Sequence, residues 1–252
     1  MQKLDLGIQI VNYKTKAFLT PLIESILKDL ASSKLSYEVN ILDNASGDNL
    51  DSIKQTYLDK HVHVYQAEKN KGFGAGHNYL ANRTEANYLL ILNPDVLFIN
   101  KDTVLKLVET LESNKAAVVG PKLLTLPSSE LPYSPALSNP QPQFWDHGVI
   151  GKSGFRFHAN DKPTNVAWVS GAVLLIKRQI FMSVSGFNER FFLYFEEVDM
   201  CLRIRKLSYN IIYDPLIQVL HYGGVVANKR SIYGIKSFLY FRLKHPLYPW
   251  VI

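Results

Sequence analysis

Three carboxylates stand within four residues in the run Glu196-Glu197-Val198-Asp199. Like charges this close repel each other, and the start of a helix offsets the repulsion because the helix dipole favours negative charge there. The apolar, aromatic residues 191–195 come directly before the run and favour partial burial. A partly desolvated carboxylate has a raised pKa and can take a proton from a hydroxyl group. The alternative is a helix start without catalytic chemistry.

A second candidate is the run Asn93-Pro94-Asp95, which follows an apolar segment from Tyr88 to Leu92. Magnesium ions in proteins bind one or two carboxylates together with substrate phosphates, and Asp95 could serve in this way. Asn-Pro-Asp is also ordinary turn chemistry, so that alternative stays open. His221 is a further candidate metal ligand through a neutral imidazole, although a lone histidine is often structural.

A glycine-rich run from Asn70 to Asn78 contains Gly72, Gly74 and Gly76. Its backbone amides could contact a phosphate, but a plain tight turn explains the glycines equally well. The spacing differs from the dinucleotide fingerprint, because His77 occupies the place of its third glycine. The sequence has neither a G-x-x-x-x-G-K-[ST] loop nor a G-x-S-x-G motif, which disfavours P-loop ATPases and the corresponding serine hydrolases.

Alternating strands and helices must position these residues. Strand-like segments are predicted at 4–11, 37–42, 62–65, 88–92, 117–120, 168–176, 211–213 and 219–221. Helices are predicted between the early strands, the first with Thr20 as N-cap and Pro21 at its first position. The alternation predicts an α/β fold with a mostly parallel central sheet and helices on both faces. Ligands bind such sheets at the carboxyl ends of the strands, where Asn12, Asp43 and Asp95 stand.

Prolines interrupt the pattern between Pro127 and Pro163 and predict a long loop, which in compact domains is often functional. Hydrophobic residues make up 47% of the 252 residues and charged residues 20%, so a large core is expected rather than disorder. The net charge of +6 favours anionic partners. Nucleic acid is not an expected partner, because no recognition motif accompanies the charge.

Cys201 is the single cysteine, so no intrachain disulfide is possible, which fits a reducing cytoplasm. Asp5 interrupts the first apolar run, so no signal peptide is expected. No run of 18 apolar residues occurs, so no membrane-spanning helix is expected.

In combination, these residues resemble the family 2 glycosyltransferases with the Rossmann-like GT-A fold. The likeness is greatest to the rhamnosyltransferase-like branch that builds bacterial surface polysaccharides, and it runs from Ile8 to about Tyr222. The matching blocks occur in the order of that family: 11–13 (VNY), 42–46 (LDNAS), 70–74 (NKGFG), 93–95 (NPD), 169–172 (VSGA), 186–189 (GFNE), 192–194 (FLY), 196–199 (EEVD) and His221.

The resemblance implies a set of residues that bind the nucleotide sugar: Asn12, Tyr13, Asp43, Asn44, Asn70, Gly72, Phe73, Asn93, Asp95, Ser170 and Gly171. Within it, Asp43 would accept a hydrogen bond from the imide nitrogen of uracil or thymine, and Ser170 and Gly171 would line the sugar pocket. Asp95 and His221 would bind Mn²⁺ or Mg²⁺.

Glu197 stands at the position of the catalytic base of the family, which is usually Asp. The extra methylene displaces the carboxylate, and small displacements can cost on the order of 10²-fold in rate. Glu196 and Asp199 are therefore further candidates for part of this role. Asn93 also departs from stricter members of the family, which carry Asp there.

The resemblance implies a metal-dependent, inverting hexosyltransferase. The first expected donor is dTDP-rhamnose, from which L-rhamnose is transferred, and the second is a UDP-hexose. The expected acceptor is a glycan or a polyprenyl-diphosphate-linked saccharide. A nucleotidyltransferase would carry a glycine- and arginine-rich loop where Asn12-Tyr13-Lys14-Thr15-Lys16 stand. A protein that binds the nucleotide sugar or a polysaccharide without turnover is the other alternative, supported only by the departure at Glu197.

Residues 227–252 are predicted to form a short extension, on the acceptor side, of a catalytic domain at 1–226. Ile235, Phe238, Leu239 and Arg242 follow helical spacing, and basic and aromatic residues surround them. This composition suits the surface of an anionic membrane and predicts a cytoplasmic protein bound peripherally to it. The alternative is a helix that packs on the catalytic domain.

Overall fold

A ten-stranded sheet organises the part of the chain that the computed structural model describes, namely residues 4–125, 141–142, 147–148, 161–223 and 230–246. The strands are β1 (Leu6–Asn12), β2 (Tyr37–Asp43), β3 (Val62–Gln66), β4 (Tyr88–Leu92), β5 (Val96–Leu97), β6 (Ala116–Thr125), β7 (Gln141–Pro142), β8 (His147–Gly148), β9 (Thr164–Asn165), β10 (Trp168–Val169), β11 (Val173–Lys177) and β12 (Asn210–His221). Strands β8 and β10 form a separate antiparallel pair.

The main path of the sheet has the order β3-β2-β1-β4-β11-β6-β12-β5. Its first four strands are parallel, and β11 runs antiparallel to both β4 and β6. Strand β12 is parallel to β6, and β5 is antiparallel to β12. The sheet is therefore mostly parallel, as predicted.

Helices cover both faces of the sheet. They are α1 (Lys16–Leu30), α2 (Asp51–Thr56), α3 (Phe73–Ala81), α4 (Thr103–Ser113), α5 (Arg178–Ser183), α6 (Glu196–Lys206) and α7 (Arg230–Lys244). Apolar side chains of α1, α2 and α4 share one core cluster, and those of α3, α5, α6 and α7 share another. Strand β4 shows why both faces need cover, since Leu90 and Leu92 enter the first cluster while Leu89 and Ile91 enter the second.

Helix α1 begins at Lys16 rather than at Thr20, so the predicted N-cap and first helical proline were wrong. Pro21 lies inside the helix, near its start. The earlier start buries Phe18 and Leu19, a gain of roughly 1.5–3 kcal/mol for each large apolar side chain. That gain favours the longer helix despite the backbone hydrogen bond that a proline cannot donate.

The strand predictions also differ in detail. The segment predicted as one strand at 168–176 forms β10 and β11, which are separated by the turn at 170–172. The two strands predicted at 211–213 and 219–221 form the single strand β12, which contains a register shift between Asp214 and Gln218. Pro215 lies in that shift, where a residue without an N–H group fits the irregular pairing.

Most of the predicted proline-rich loop lies outside the described residues, which include only β7 and β8 between 126 and 160. Among the helices of the described ranges, none combines the length and apolar character needed to cross a bilayer. Helix α7 packs on the second core cluster through Phe241, which is fully buried.

Candidate active site

The candidate residues converge because of strand direction. Strands β1, β2, β4 and β12 end at one edge of the sheet, with Asn12, Asp43 and His221 as final residues of three of them. Because β11 is antiparallel to its neighbours, its beginning lies at this same edge. The turn that carries Ser170 and Gly171 is thereby brought to the ends of the parallel strands.

Asn12 and Asp43 are paired neighbours at the ends of β1 and β2, and both are fully buried. The Asn12 amide donates to Asp43 Oδ1 at 2.8 Å and to Asp48 Oδ2 at 3.0 Å. Its oxygen accepts hydrogen bonds from the backbone N–H and the hydroxyl of Thr15. Asn12 therefore fixes the loops that follow both strands. Tyr13 comes next, with the Lys14 ammonium 5.6 Å from its ring centroid.

The carboxylate of Asp43 uses both of its oxygens. Oδ1 accepts from Asn12 and from the Ser46 hydroxyl, while Oδ2 accepts from Gln66 Nε2 at 2.7 Å. The backbone N–H of Ser46 also donates to Oδ2, at 3.4 Å. A base N–H that binds here must displace one of these donors, and Gln66 is the exposed one.

Asn44 joins the end of β2 to the glycine-rich loop. Its Nδ2 donates to Asn70 Oδ1 and to the Gly72 carbonyl, each at 3.0 Å, and its Oδ1 accepts from the backbone N–H of Lys71 at 3.1 Å. Asn70 Oδ1 in turn accepts from the backbone N–H of Gly72 at 2.9 Å. The loop ahead of α3 is therefore held by the amide groups of the buried Asn44 and the half-buried Asn70.

Gly72 has φ +88° and ψ 178°, a conformation that is essentially restricted to glycine. A Cβ atom at this position would overlap the carbonyl oxygen of Phe192. That same oxygen accepts the backbone N–H of Phe73 at 3.0 Å. The glycine-rich loop thus touches the segment that leads into the carboxylates of α6.

Asp95, which follows β4 in the chain, lies beside His221 at the end of β12. His221 Nε2 is 3.4 Å from Asp95 Oδ1 and 3.2 Å from Asn93 Nδ2. Asp95 Oδ2 accepts the backbone N–H of Gly223 at 3.2 Å, and Asp95 is 4% exposed. Within the described residues no group of three or more acidic, histidine or cysteine ligands occurs. One carboxylate and one imidazole nevertheless fit a divalent cation whose other ligands are phosphate and water oxygens.

The turn at Ser170 and Gly171 joins this pair to α6. The backbone N–H of Asn93 donates to the Ala172 carbonyl at 2.8 Å, and Ser170 Oγ accepts from the backbone N–H of Ala172 at 3.2 Å. A Cβ atom on Gly171 would lie 3.3 Å from the Phe73 ring and 3.5 Å from Glu197 Cβ. Only a small residue at 171 leaves room beside the carboxylate.

Glu196 and Glu197 begin α6, after Tyr194 and Phe195, whose φ angles are +71° and +69°. Burial, reinforced by the charge of Glu197, raises the pKa of Glu196 well above its usual value. Its Oε2 atom is buried, and it has no hydrogen-bond partner among the residues that the structure describes.

Burial likewise raises the pKa of Glu197 to about 7, against hydrogen bonds with the backbone of Glu197, Val198 and Gly171. Unlike Glu196, Glu197 is only partly buried. A carboxylate that is half ionised near neutral pH and still accessible is well matched to general-base chemistry.

The sequence profile of one protein family, Glycosyl transferase family 2, matches residues 8–184. The matched region covers most of β1, all of β2, the glycine-rich loop, Asp95 and the turn at Gly171. The chain belongs to this family.

Curated relatives of this glycosyltransferase include the low-salt glycan biosynthesis hexosyltransferase Agl10 of Haloferax volcanii, which is 28% identical over 86% of this chain and 67% of its own length. Rhamnosyltransferase WbbL of Escherichia coli is 27% identical over 80% of this chain and 78% of its own. N-acetylglucosaminyl-diphospho-decaprenol L-rhamnosyltransferase of Mycobacterium tuberculosis is 40% identical, but over only 27% of this chain and 21% of its own. The glycosyltransferase thus falls in the rhamnosyltransferase-like branch.

Solved structures support the GT-A fold. GalNAc-T7 with UDP, GalNAc and Mn²⁺ has a TM-score of 0.65 at 14% identity, over 88% of this chain and 44% of that one. The mannosyltransferase PcManGT of Pyrobaculum calidifontis, in complex with GDP-Man and Mn²⁺, has a TM-score of 0.64 at 13% identity, over 95% of this chain and 64% of that one.

The chemical environment of Asp199 differs from that of the other candidate carboxylates of this glycosyltransferase. Its carboxylate is fully buried and contacts Arg203 at 2.8 Å, Lys244 at 2.6 Å and His245 at 2.7 Å. Burial acts to raise the pKa of Asp199, but the hydrogen bonds of Lys244 and His245 and the charge of Arg203 outweigh it and lower the pKa. A carboxylate held in this way binds protons weakly, which does not suit a catalytic base.

Some residues of the site escaped the sequence interpretation. Gln66 contacts Asp43, and the carbonyl of Phe192 contacts the glycine-rich loop of the glycosyltransferase. Lys244 and His245 reach Asp199 from the far end of the chain. Gln66 could have been identified from its place directly after a strand-like segment. The other residues could not, because backbone contacts and long-range pairs leave no local sequence pattern.

Replacing Gly72 with Ala tests the close approach to Phe192. The backbone conformation should lower the free energy of unfolding by about 1–3 kcal/mol, and the steric overlap should cost about 1–3 kcal/mol more. Gly47→Ala is the matched control, since Gly47 has φ +82° but nothing lies within 4 Å of a Cβ there. Urea unfolding of both variants is the measurement. Equal losses would show that the contact with Phe192 contributes nothing.

Proposed function

We propose that this glycosyltransferase is a metal-dependent, inverting enzyme that transfers a sugar from a nucleotide diphosphate to an acceptor hydroxyl, with Glu197 as the catalytic base. The observation that carries the proposal is the partly buried Glu197 carboxylate, with a pKa of about 7, against the turn at Gly171. The same turn is hydrogen-bonded to the segment that holds Asp95.

The nucleotide lies, in this proposal, along the ends of β1 and β2. Asp43 accepts the imide N–H of a pyrimidine base, with Asn12 and Tyr13 beside the nucleotide and Asn44 holding the loop. The loop residues Asn70, Gly72 and Phe73 border the ribose and the diphosphate. Ser170 and Gly171 line the sugar. The position that a Cβ atom of Gly171 would occupy faces Glu197 and Phe73.

Asp95 and His221 would hold Mn²⁺ or Mg²⁺, and the Asn93 amide, which lies beside His221, borders that position. When bound, such a cation neutralises the charge that develops on the departing diphosphate. Asp95 is suited to this role because backbone contacts with Tyr222 and Gly223 fix its position.

Glu197 removes the proton of the acceptor hydroxyl as that oxygen forms a bond to C1 of the sugar. The oxygen attacks from the face opposite the diphosphate, the bond from C1 to the diphosphate oxygen breaks, and the electron pair leaves with the diphosphate. A single displacement inverts the anomeric centre and needs no nucleophile from the enzyme. Glu196, buried with a raised pKa, keeps its proton and so adds no second negative charge beside the base.

The donor proposed is dTDP-rhamnose, and the acceptor a glycan or a polyprenyl-diphosphate-linked saccharide in surface-polysaccharide synthesis. The names of two relatives, a rhamnosyltransferase and a diphospho-decaprenol rhamnosyltransferase, support this choice. A UDP-hexose is the second candidate, supported by the hexosyltransferase relative. Thermal stabilisation by a panel of nucleotide sugars with Mn²⁺ separates the two, because selective binding stabilises the folded state.

The cytoplasmic face of the membrane is the proposed location, with α7 as the contact. Four side chains of α7, Ile232, Ile235, Leu239 and Leu243, form an apolar stripe and are 57–81% exposed. The exposed Lys236 lies on the same helix, and the whole chain carries a net charge of +6. Apolar insertion combined with basic charge binds anionic bilayers, which would bring a lipid-linked acceptor to the site.

Asp95→Ala should abolish the increase in dTDP affinity that Mn²⁺ produces, because the cation loses its carboxylate ligand. Isothermal titration of dTDP with and without Mn²⁺ measures the effect. Asp59→Ala, an exposed aspartate outside the site, should retain it. An unchanged Mn²⁺ effect in Asp95→Ala would refute the metal assignment.

Glu197→Gln should lower the release of dTDP from dTDP-rhamnose by about 10²–10⁴-fold, the usual contribution of a general base, and leave donor affinity unchanged. The wild-type rate should fall about tenfold for each pH unit below 7, because the base must be deprotonated and its pKa is about 7. This acidic limb should vanish in Glu197→Gln and persist in the exposed control Glu109→Gln. A wild-type profile in Glu197→Gln would refute the base assignment.

The double variant Leu239→Glu, Leu243→Glu should lose binding to phosphatidylglycerol vesicles at low salt, since charges on the stripe cannot enter the bilayer. The matched control is Leu58→Glu, Leu216→Glu, which changes the charge equally at two leucines that are each 67% exposed. Vesicle co-sedimentation is the measurement. Equal binding by both variants, or no binding by the unaltered protein, would rule out this contact.

A further inference from the structure

We infer that α7 positions the catalytic carboxylate, and that Lys244 and His245 are positioning residues that hold the first turn of α6 through Asp199. The inference rests on the proposed role of Glu197 as base. Three sets of contacts support it, and they follow one another along the chain from Phe192 to Asp199.

The first set joins α7 to the segment that precedes the two glutamates. Ser237 Oγ donates to the Leu193 carbonyl at 2.8 Å. The Tyr233 ring stacks on Phe192, with centroids 4.4 Å apart and an interplanar angle of 26°. The carbonyl of Phe192 also contacts the glycine-rich loop, so α7 helps to hold that contact in place by packing on the Phe192 ring.

The second set concerns backbone conformation. Tyr194 and Phe195 both have positive φ, which is unfavourable for large side chains and persists only where neighbouring structure enforces it. Both residues have neighbours in α7. The Phe195 ring lies 5.9 Å from that of Phe238 and 5.2 Å from that of Phe241, and Tyr194 lies against Gly234. Helix α7 therefore supplies contacts that keep the entry into α6 in this conformation.

The third set is the cluster around Asp199, in the same turn of α6 as Glu197. Lys244 Nζ and His245 Nε2 both lie against Asp199 Oδ1, at 2.6 and 2.7 Å, and Arg203 Nε lies 2.8 Å from Oδ2. The His245 side chain also packs on the Phe241 ring, with centroids 4.7 Å apart. Because Asp199 is fully buried, losing one of its three partners leaves its charge less well compensated, so the turn should shift or loosen.

A shift of this turn moves Glu197, while the residues that bind the nucleotide lie on other elements. Displacement of a reacting group by about 1 Å can cost on the order of 10²-fold in rate. The expected signature of a positioning role is therefore a fall in kcat with little change in the KM for the donor. A loss of fold would instead affect both and would lower the Tm.

The experiment compares His245→Leu and Lys244→Met with His245→Gln, in which an amide can still donate to Asp199. Two readouts are taken on the full chain: amide hydrogen exchange of residues 192–200, and dTDP release from dTDP-rhamnose with Mn²⁺ present. His245→Leu and Lys244→Met should speed exchange in 192–200 but not in β4. They should lower kcat by about 10–100-fold with the KM within about twofold, and His245→Gln should recover most of the rate.

Unchanged exchange, or faster exchange with unchanged kcat, would overturn the positioning role. Faster exchange throughout the chain with a lowered Tm would also overturn it, because the cluster would then stabilise the whole fold. The proposed donor fails separately if the unaltered protein releases no dTDP, and the proposed base fails if Glu197→Gln retains the full rate. Hydrogen exchange still tests the contact in that case, since it does not depend on turnover.

Discussion

Strand β11 runs antiparallel to both of its neighbours, and this direction determines which segments meet at the site. A parallel strand in its place would begin at the far edge of the sheet, and the turn at Ser170 and Gly171 would lie there with it. The observed direction puts that turn beside Asn93, with the carbonyl of Ala172 accepting from the Asn93 backbone. Gly171 then meets both Phe73 and Glu197. The start of α3 and the start of α6 are joined through this one turn.

The two glutamates show how neighbouring positions acquire different chemistry. Glu196 is buried with one oxygen lacking a partner among the described residues, so its charged form is strongly disfavoured. Glu197 is also raised in pKa, but backbone hydrogen bonds from its own turn and from Gly171 stabilise its ionised form. One of the pair is thus kept neutral while the other stays close to half ionised at neutral pH. Glu197 lies beside Gly171, where a Cβ atom would come within 3.5 Å of the Glu197 Cβ.

Most of what could be predicted from the sequence concerns the strands and the polar residues at their ends. The mostly parallel sheet, the helices on both faces and the gathering of Asn12, Asp43 and Asp95 at one edge follow from local periodicity and polar residues after apolar runs. The start of α1 did not, because burial of Phe18 and Leu19 overrides the local preference of Pro21. The surroundings of Asp199 did not either, since two of its partners lie 45 and 46 residues further along the chain. Contacts of that kind follow from packing, not from spacing.

The hydrogen bonds that Asp43 already accepts bear on the selectivity for a bound base rather than on its affinity. Its oxygens already accept from Asn12, Ser46 and Gln66, so a base that binds there exchanges one hydrogen bond for another and gains little free energy overall. A base without an N–H group at this point would displace Gln66 and return nothing, leaving the buried Asp43 Oδ2 with only the 3.4 Å hydrogen bond from the Ser46 backbone. Discrimination of this type can exceed what the bond adds to binding. If a nucleotide binds at Asp43 as proposed, the amide of Gln66 can return to Asp43 Oδ2 when the nucleotide departs.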